Sequence, residues 1–224
     1  MIVAERKPFE EIYNNVRKHK SILVLGCGSC VTVCMAGGEE EVGILSSQVE
    51  LGAREKGDDI SVIGHTIKRQ CDVEFFDDET AKKIEQVDAV VSMACGVGVQ
   101  FCVERFPDAI VYPALNTSFY GATMEQGVWA ERCAGCGECV IEEFGGICPI
   151  TRCSKSLLNG PCGGSDSGKC EVDPENLDCA WQLIIDRMDK LGRLEELEQV
   201  RPPKNWSKNR DGGPRTITRE DKRL

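Results

Sequence analysis

Cysteine is the residue type that carries chemistry in this chain, at 14 of 224 positions. The densest run is Cys133-Ala134-Gly135-Cys136-Gly137-Glu138-Cys139, with Cys148-Pro149 nine residues further on. Thiolates at two-residue intervals, set in glycine and followed by a distant Cys-Pro, can wrap a cubane iron-sulfur cluster. Zinc sites more often pair two CxxC knuckles, so a zinc knuckle is the second reading and thiols that only fill a core the third. Cys133, Cys136 and Cys139 offer three ligands. The fourth comes from Cys148, Cys153, Cys162, Cys170 or Cys179, because the Cys-Pro thiol of two-cluster ferredoxins serves the other cluster. These thiols are numerous enough for a second cluster in the same stretch. Gly135, Gly137, Gly163 and Gly164 can aim backbone amides at sulfur, or simply make turns.

A second set consists of Cys27, Cys30, Cys34, Cys71 and Cys95, and the elements around it say where it lies. Ser21 to Gly26 is a short apolar run ending at glycine, the mark of a strand buried on both faces of a parallel sheet. Further strands are predicted at Ile60 to Ile63, Ala89 to Ala94 and Ala109 to Pro113. Helices are predicted over residues 8–19, 38–56, from Asp77 or Asp78 to 86, and over 98–106, with Gly57 and Pro107 as stops. Strands alternating with helices give right-handed crossovers and a small, mostly parallel sheet of flavodoxin or Rossmann type. Ligands of such sheets sit beyond the carboxyl ends of the strands. Cys27 and Cys95 fall at two such ends, Cys30 and Cys34 in the first loop and Cys71 after the second strand. Cys102 lies on the apolar side of a helix and reads as packing. Three regions follow: an α/β domain over 1–124, a cysteine-rich, metal-stabilised module over 125–200 closed by a helix at about 180–200, and a basic tail over 201–224.

Composition removes several function classes. No apolar run approaches a bilayer span, and the charged N-terminus lacks a signal core, which places the chain in the cytoplasm. In that reducing compartment a disulfide framework gives way to metal ligation. The net charge of -10 argues against nucleic acid. Gly26-Cys27-Gly28 starts like a dinucleotide fingerprint, but Val31 replaces the third glycine and no acidic residue closes the second strand. Neither His19 nor His65 sits in a triad pattern. From Arg201 onward the chain carries eight Lys or Arg against three Asp or Glu, leaving -15 on the rest. This tail cannot form a core alone; it is either a disordered end or an arm whose Trp206 and arginines dock on a partner.

Gly26-Cys27-Gly28-Ser29-Cys30, Arg69-Gln70-Cys71-Asp72, Ala94 to Gln100 and Ala114-Leu115-Asn116-Thr117 resemble the N-terminal part of the MetV family. Gly146 to Ile150, Asn159-Gly160-Pro161-Cys162-Gly163-Gly164 and Cys179-Ala180-Trp181 resemble the domain called methylene-tetrahydrofolate reductase C-terminal, which that family carries. The resemblance implies an iron-sulfur subunit with two or three 4Fe-4S clusters. It would relay electrons to the flavin of a MetF-type catalytic partner, which reduces methylene-tetrahydrofolate to methyl-tetrahydrofolate in the methyl branch of the Wood-Ljungdahl pathway. Some members join heterodisulfide-reductase-like, electron-bifurcating subunits. Carried over, the family's cysteines are Cys27, Cys30, Cys34, Cys71 and Cys95 near the sheet, and Cys133, Cys136, Cys139, Cys148, Cys153, Cys162, Cys170 and Cys179 in the module. Two readings compete with electron transfer: a zinc-stabilised scaffold without a redox role, and a thiol-zinc methyl-transfer component with an open zinc position.

Overall fold

The structure, a computed structural model, describes residues 1–223. The chain divides into two compact units, Met1–Ala130 and the remainder from Glu131.

The first unit contains β1 (Ile2–Arg6), α1 (Phe9–Val16), β2 (Ser21–Cys27), α2 (Cys30–Val33), α3 (Glu39–Lys56) and β3 (Ser61–Ile67). It continues with α4 (Asp78–Glu85), β4 (Ala89–Ser92), α5 (Gly96–Arg105), β5 (Val111–Pro113), β6 (Leu115–Glu125) and β7 (Val128–Cys133), the last crossing the boundary. Strands β2 to β5 form a four-stranded sheet in the order β3-β2-β4-β5, all pairs parallel. Strand β2 is joined to its neighbour β3 through α3, and β4 to its neighbour β5 through α5, the helical crossovers that parallel neighbours need. Central β2 is buried from Ile22 to Cys27, so its side chains alternate between two cores rather than between core and water. Ile22 and Val24 pack with Val42, Leu45 and Val49 of α3 and with Ile12 and Val16 of α1. Leu23 and Leu25 face the other way, onto Val90, Phe76, Ile84 and Cys102. Each such aliphatic chain taken fully from water contributes about 1.5–3 kcal/mol, so the strand ends rest on a core that needs no ligand.

Local signals account for the helix limits. Three glutamates open α3 and Gly57, at φ +72°, closes it in the left-handed region. Asp77 accepts the Thr80 amide at 2.8 Å and starts α4. The second parallel strand runs to Ile67, four residues beyond the expected end, because β2 pairs with it over its whole length. A second sheet, antiparallel, has the order β1-β6-β7. Its pairing runs from Ile2 opposite Tyr120 to Arg6 opposite Leu115.

The second unit holds α6 (Pro149–Arg152), β8 (Lys169–Cys170), β9 (Asp173–Asp178) and α7 (Ala180–Lys190), with a 3-10 turn before α6 and others after α7. Its apolar core gathers Val140, Phe144, Trp181, Ile184 and Met188 with Cys179. The Trp181 indole donates to the Leu157 carbonyl at 3.0 Å, so the ring is buried without an orphaned N–H. Helix α7 is about half as long as the apolar spacing suggested. Gly192 turns left-handed at φ +65°, the Arg193 amide bonds back to the Met188 carbonyl, and Leu194–Glu198 continue as a 3-10 turn. Among the described residues no helix is long and apolar enough to cross a membrane.

Candidate metal centres

The carboxyl ends of β2 and β4 deliver Cys27 and, two residues past Met93, Cys95, each only 7% exposed. Cys95 caps α5, whose Gly96 amide is held by the Thr117 hydroxyl at 2.8 Å. The loop after β2 is fixed on several sides: Thr32 Oγ1 donates to the Cys27 carbonyl at 2.9 Å, Ser29 Oγ to the Lys68 carbonyl at 2.9 Å, and the Cys27 amide to the Gly37 carbonyl at 2.9 Å. Gln70, fully buried, ties the loop carrying Cys71 to the sheet. Its amide nitrogen donates to the carbonyls of Leu25 at 2.8 Å and Gly26 at 3.1 Å, and its oxygen accepts the Ser92 hydroxyl at 2.7 Å. Gly98 is required beside it, since a Cβ there would stand 2.7 Å from Ala94 Cβ and 2.9 Å from Gln70 Cβ.

Cys27, Cys71 and Cys95 lie within one another's fields. Burial pushes the Cys27 thiol up, and ionised Cys95 or Cys30 would push it further, while the amides of Gln70 and Ser29 aimed at its sulfur work the other way. Cys71 is raised first by burial and then by Cys27 and Cys95. Cys27 and Cys71, which burial keeps from ionising, are donors that a bound cation would deprotonate. Cys34 is buried too, and its thiol lies 3.6 Å from the carbonyls of Ala4 and Val31. Cys102 is fully buried, with its thiol pushed up to about 11 by burial alone.

In the second unit Cys153, Cys162, Cys170 and Cys179 line one small cavity together with Lys155, Glu171 and Trp181. Here two thiols are pulled down. Cys162 accepts the Gly164 amide at 3.5 Å and feels Lys155, which is paired with Glu171. Cys170 is lowered by the Ser154 hydroxyl at 3.6 Å, by the amides of Val172 and Asp173, and by Lys155. Cys133 ends β7, and Cys136 and Cys139 occupy the loop after it. The Gly135 amide points at the Cys133 sulfur at 3.4 Å, so two of the four glycines singled out, Gly135 and Gly164, do present amides to sulfur. Cys148 precedes α6, with Pro149 in the first helical position.

Sequence reasoning missed what holds the CxxCxxC loop. Lys204, whose side chain is 2% exposed, donates to the Glu138 carbonyl at 2.8 Å and approaches its carboxylate at 3.4 Å. Lys208 reaches the same carboxylate at 3.1 Å, and Arg215 reaches the Gly135 carbonyl at 3.5 Å. Hydrogen bonds from Lys208 and Lys204 hold the Glu138 carboxyl below its usual range. At Gly137, φ +78°, a Cβ would meet the Lys208 carbonyl at 2.2 Å, so only glycine lets the tail lie this close. The start of the tail therefore folds against the loop of its own unit, 66 residues earlier in the chain.

Among the described residues no three His, Cys, Asp or Glu side chains stand ready to hold a metal ion. Several thiols instead take local partners: Cys136 the Glu138 carbonyl, Cys148 the Thr151 hydroxyl, Cys162 the Glu171 carboxylate.

Residues 112–207 match the family model described as "Methylene-tetrahydrofolate reductase C terminal". No curated protein and no solved structure matches the chain. The matched segment is under half of the chain; it contains all eight cysteines from Cys133 to Cys179, together with Glu138 and Lys204, and none of the strand-end thiols.

Proposed function

We propose that this chain is an iron-sulfur electron-transfer subunit that passes electrons to the flavin of a MetF-type catalytic partner, which reduces methylene-tetrahydrofolate to methyl-tetrahydrofolate. The observation that carries the reading is the convergence of thiols in two places: at the strand ends of the first unit and around one cavity of the second. The match over residues 112–207 supports the link to methylene-tetrahydrofolate reduction.

Cys27, Cys71 and Cys95, with Cys30 at the start of α2, are the residues that would hold a cluster at the sheet. In the second unit Cys153, Cys162, Cys170 and Cys179 form one set, which leaves Cys133, Cys136, Cys139 and Cys148 as the other. Bound clusters of this type supply one-electron redox chemistry over a wide range of potentials. The chain's own residues do the rest. Amides of Gln70, Ser29, Gly135 and Gly164 point at sulfur and favour the thiolate form. Burial at the strand ends keeps water away from Cys27 and Cys95, and Lys155 places positive charge beside Cys162 and Cys170.

The test is anaerobic purification of the full chain with iron, sulfide and zinc analysis. A brown protein whose visible absorbance bleaches on reduction and is restored by an oxidised flavoprotein partner is the expected result. Colourless protein containing zinc and no iron overturns it. A zinc-stabilised scaffold is the second reading, favoured by one dimension: the cavity among Cys153, Cys162, Cys170 and Cys179 is about 20 Å³, room for a body the size of one water rather than a cubane.

A further inference from the structure

We propose that Gln70 is the positioning residue of the strand-end thiol centre, clamping the ends of β2 and β4 to the Cys71 loop. The inference rests on the reading that these thiols hold a metal group, and it is stated for the residues that set their geometry.

Nothing in the first unit's apolar packing requires a buried amide at this place. A side chain with two donors and an acceptor is costly to bury unless every group is paired. Gln70 is fully buried and pairs them: its nitrogen bonds the carbonyls of Leu25 and Gly26, and its oxygen takes the Ser92 hydroxyl. The partners are not arbitrary. Leu25 and Gly26 are the two residues before Cys27, and Ser92 ends β4, three residues before Cys95. Gln70 itself is bonded in chain to Cys71. One side chain thus touches all three routes to the thiols that sense one another.

Gly98, which admits the Gln70 Cβ at the start of α5, completes the seat. An apolar residue of equal size would fill the same volume. It would leave the Leu25 and Gly26 carbonyls and the Ser92 hydroxyl without these partners, and the Cys71 loop without its tether. The strand-end thiols would then be held less firmly relative to one another.

The experiment compares the full-length chain with Gln70→Met and Ser92→Ala, each with its thermal midpoint recorded. In metal-free protein, alkylation of Cys27, Cys71 and Cys95 is followed by mass spectrometry, with the thiols of the second unit as internal reference. Gln70→Met should speed the strand-end thiols by about tenfold, the scale of a local opening, while the reference thiols keep their rates. In anaerobically reconstituted protein, the strand-end redox signal should weaken or be lost, with the signals of the second unit unmoved. Ser92→Ala keeps both donor bonds of Gln70; it should change the same thiols in the same direction by a smaller factor, and it carries the test if Gln70→Met does not fold. Unchanged alkylation in a folded Gln70→Met protein, or in Ser92→Ala where that is the only folded variant, overturns the proposal. So does an equal rise at every thiol of the chain. Wild-type protein that takes up no iron would remove the cluster reading, while the alkylation arm still decides the role of Gln70.

Discussion

The thiols at the strand ends stand on a finished core, whereas those of the second unit stand on loops. Cys27 and Cys95 are carried by β2 and by the turn after β4, whose neighbours fill two apolar cores on either side of a parallel sheet. Their backbone positions are set by that packing, and burial makes a free thiolate at Cys27, or at Cys71 nearby, unfavourable. In the second unit four short elements and one small core support eight cysteines. Several of those thiols are exposed, and Cys162 and Cys170 are tuned toward the thiolate by amides and Lys155. On the function proposed above, the contrast would separate two ways of building a metal site: ligands presented by a fold that exists without them, and a unit that would draw part of its folding free energy from binding.

Metal removal is the strongest way to break this contrast. Chelation under reducing conditions should leave hydrogen-exchange protection in β2 and β4 close to its starting level and abolish most of it across residues 131–200. Structural zinc in small peptides supplies about 10–16 kcal/mol, which sets the scale of such a loss. Equal protection of both units before and after chelation would show that the second unit's own core suffices.

Single cysteines sharpen the same comparison. Cys136→Ala should cost one cluster's worth of iron and destabilise only the second unit. Cys102→Ala, deep among Leu23, Leu25 and Phe76, should retain all the iron and lower the stability of the first unit alone. Iron loss of the same size from both variants would erase the distinction between ligand and packing thiols. Within the first unit, Leu23→Ala should cost about 2–5 kcal/mol in denaturant unfolding whether or not metal is bound, because the deleted contacts are apolar. A cost that appears only in metal-loaded protein would mean that this core, too, depends on its ligand.

The alternation of apolar runs and helical faces was legible from residue 8 to residue 113, since buried parallel strands and capped helices write their limits locally, as Asp77 and Gly57 do. The antiparallel sheet was not. β1 reads Ile-Val-Ala-Glu-Arg and β6 is rich in Thr, Ser and Asn, so neither announces itself without the other, and their partners are more than a hundred residues apart. The C-terminal helix was read too long because Leu191 continues the apolar spacing; the glycine after it decides the end. At the sites, spacing marked Cys133, Cys136 and Cys139, but the grouping of Cys153 with Cys162, Cys170 and Cys179 depends on loop paths that no periodicity encodes. The charge excess of the tail was visible. Its acceptor inside the CxxCxxC loop, a single glutamate, was not.

That last pairing yields the smallest effect and the most specific one. Lys204 is nearly buried, and a buried amine keeps its charge only where acceptors meet it; here those are the Glu138 carbonyl and carboxylate. Lys204→Met keeps the aliphatic stem but removes the donor, leaving the loop tied by Lys208 and Arg215 alone. The CxxCxxC loop should then open more often, seen as a rise of about threefold in Cys136 alkylation in metal-free protein, with Trp181 fluorescence unchanged. Lys208→Met, which removes an exposed contact to the same carboxylate, should do less, since exposed ion pairs contribute little. If Lys208→Met has the larger effect, screening by 0.5 M salt should reproduce it. The tail would then hold the loop by long-range charge rather than by the buried bond of Lys204.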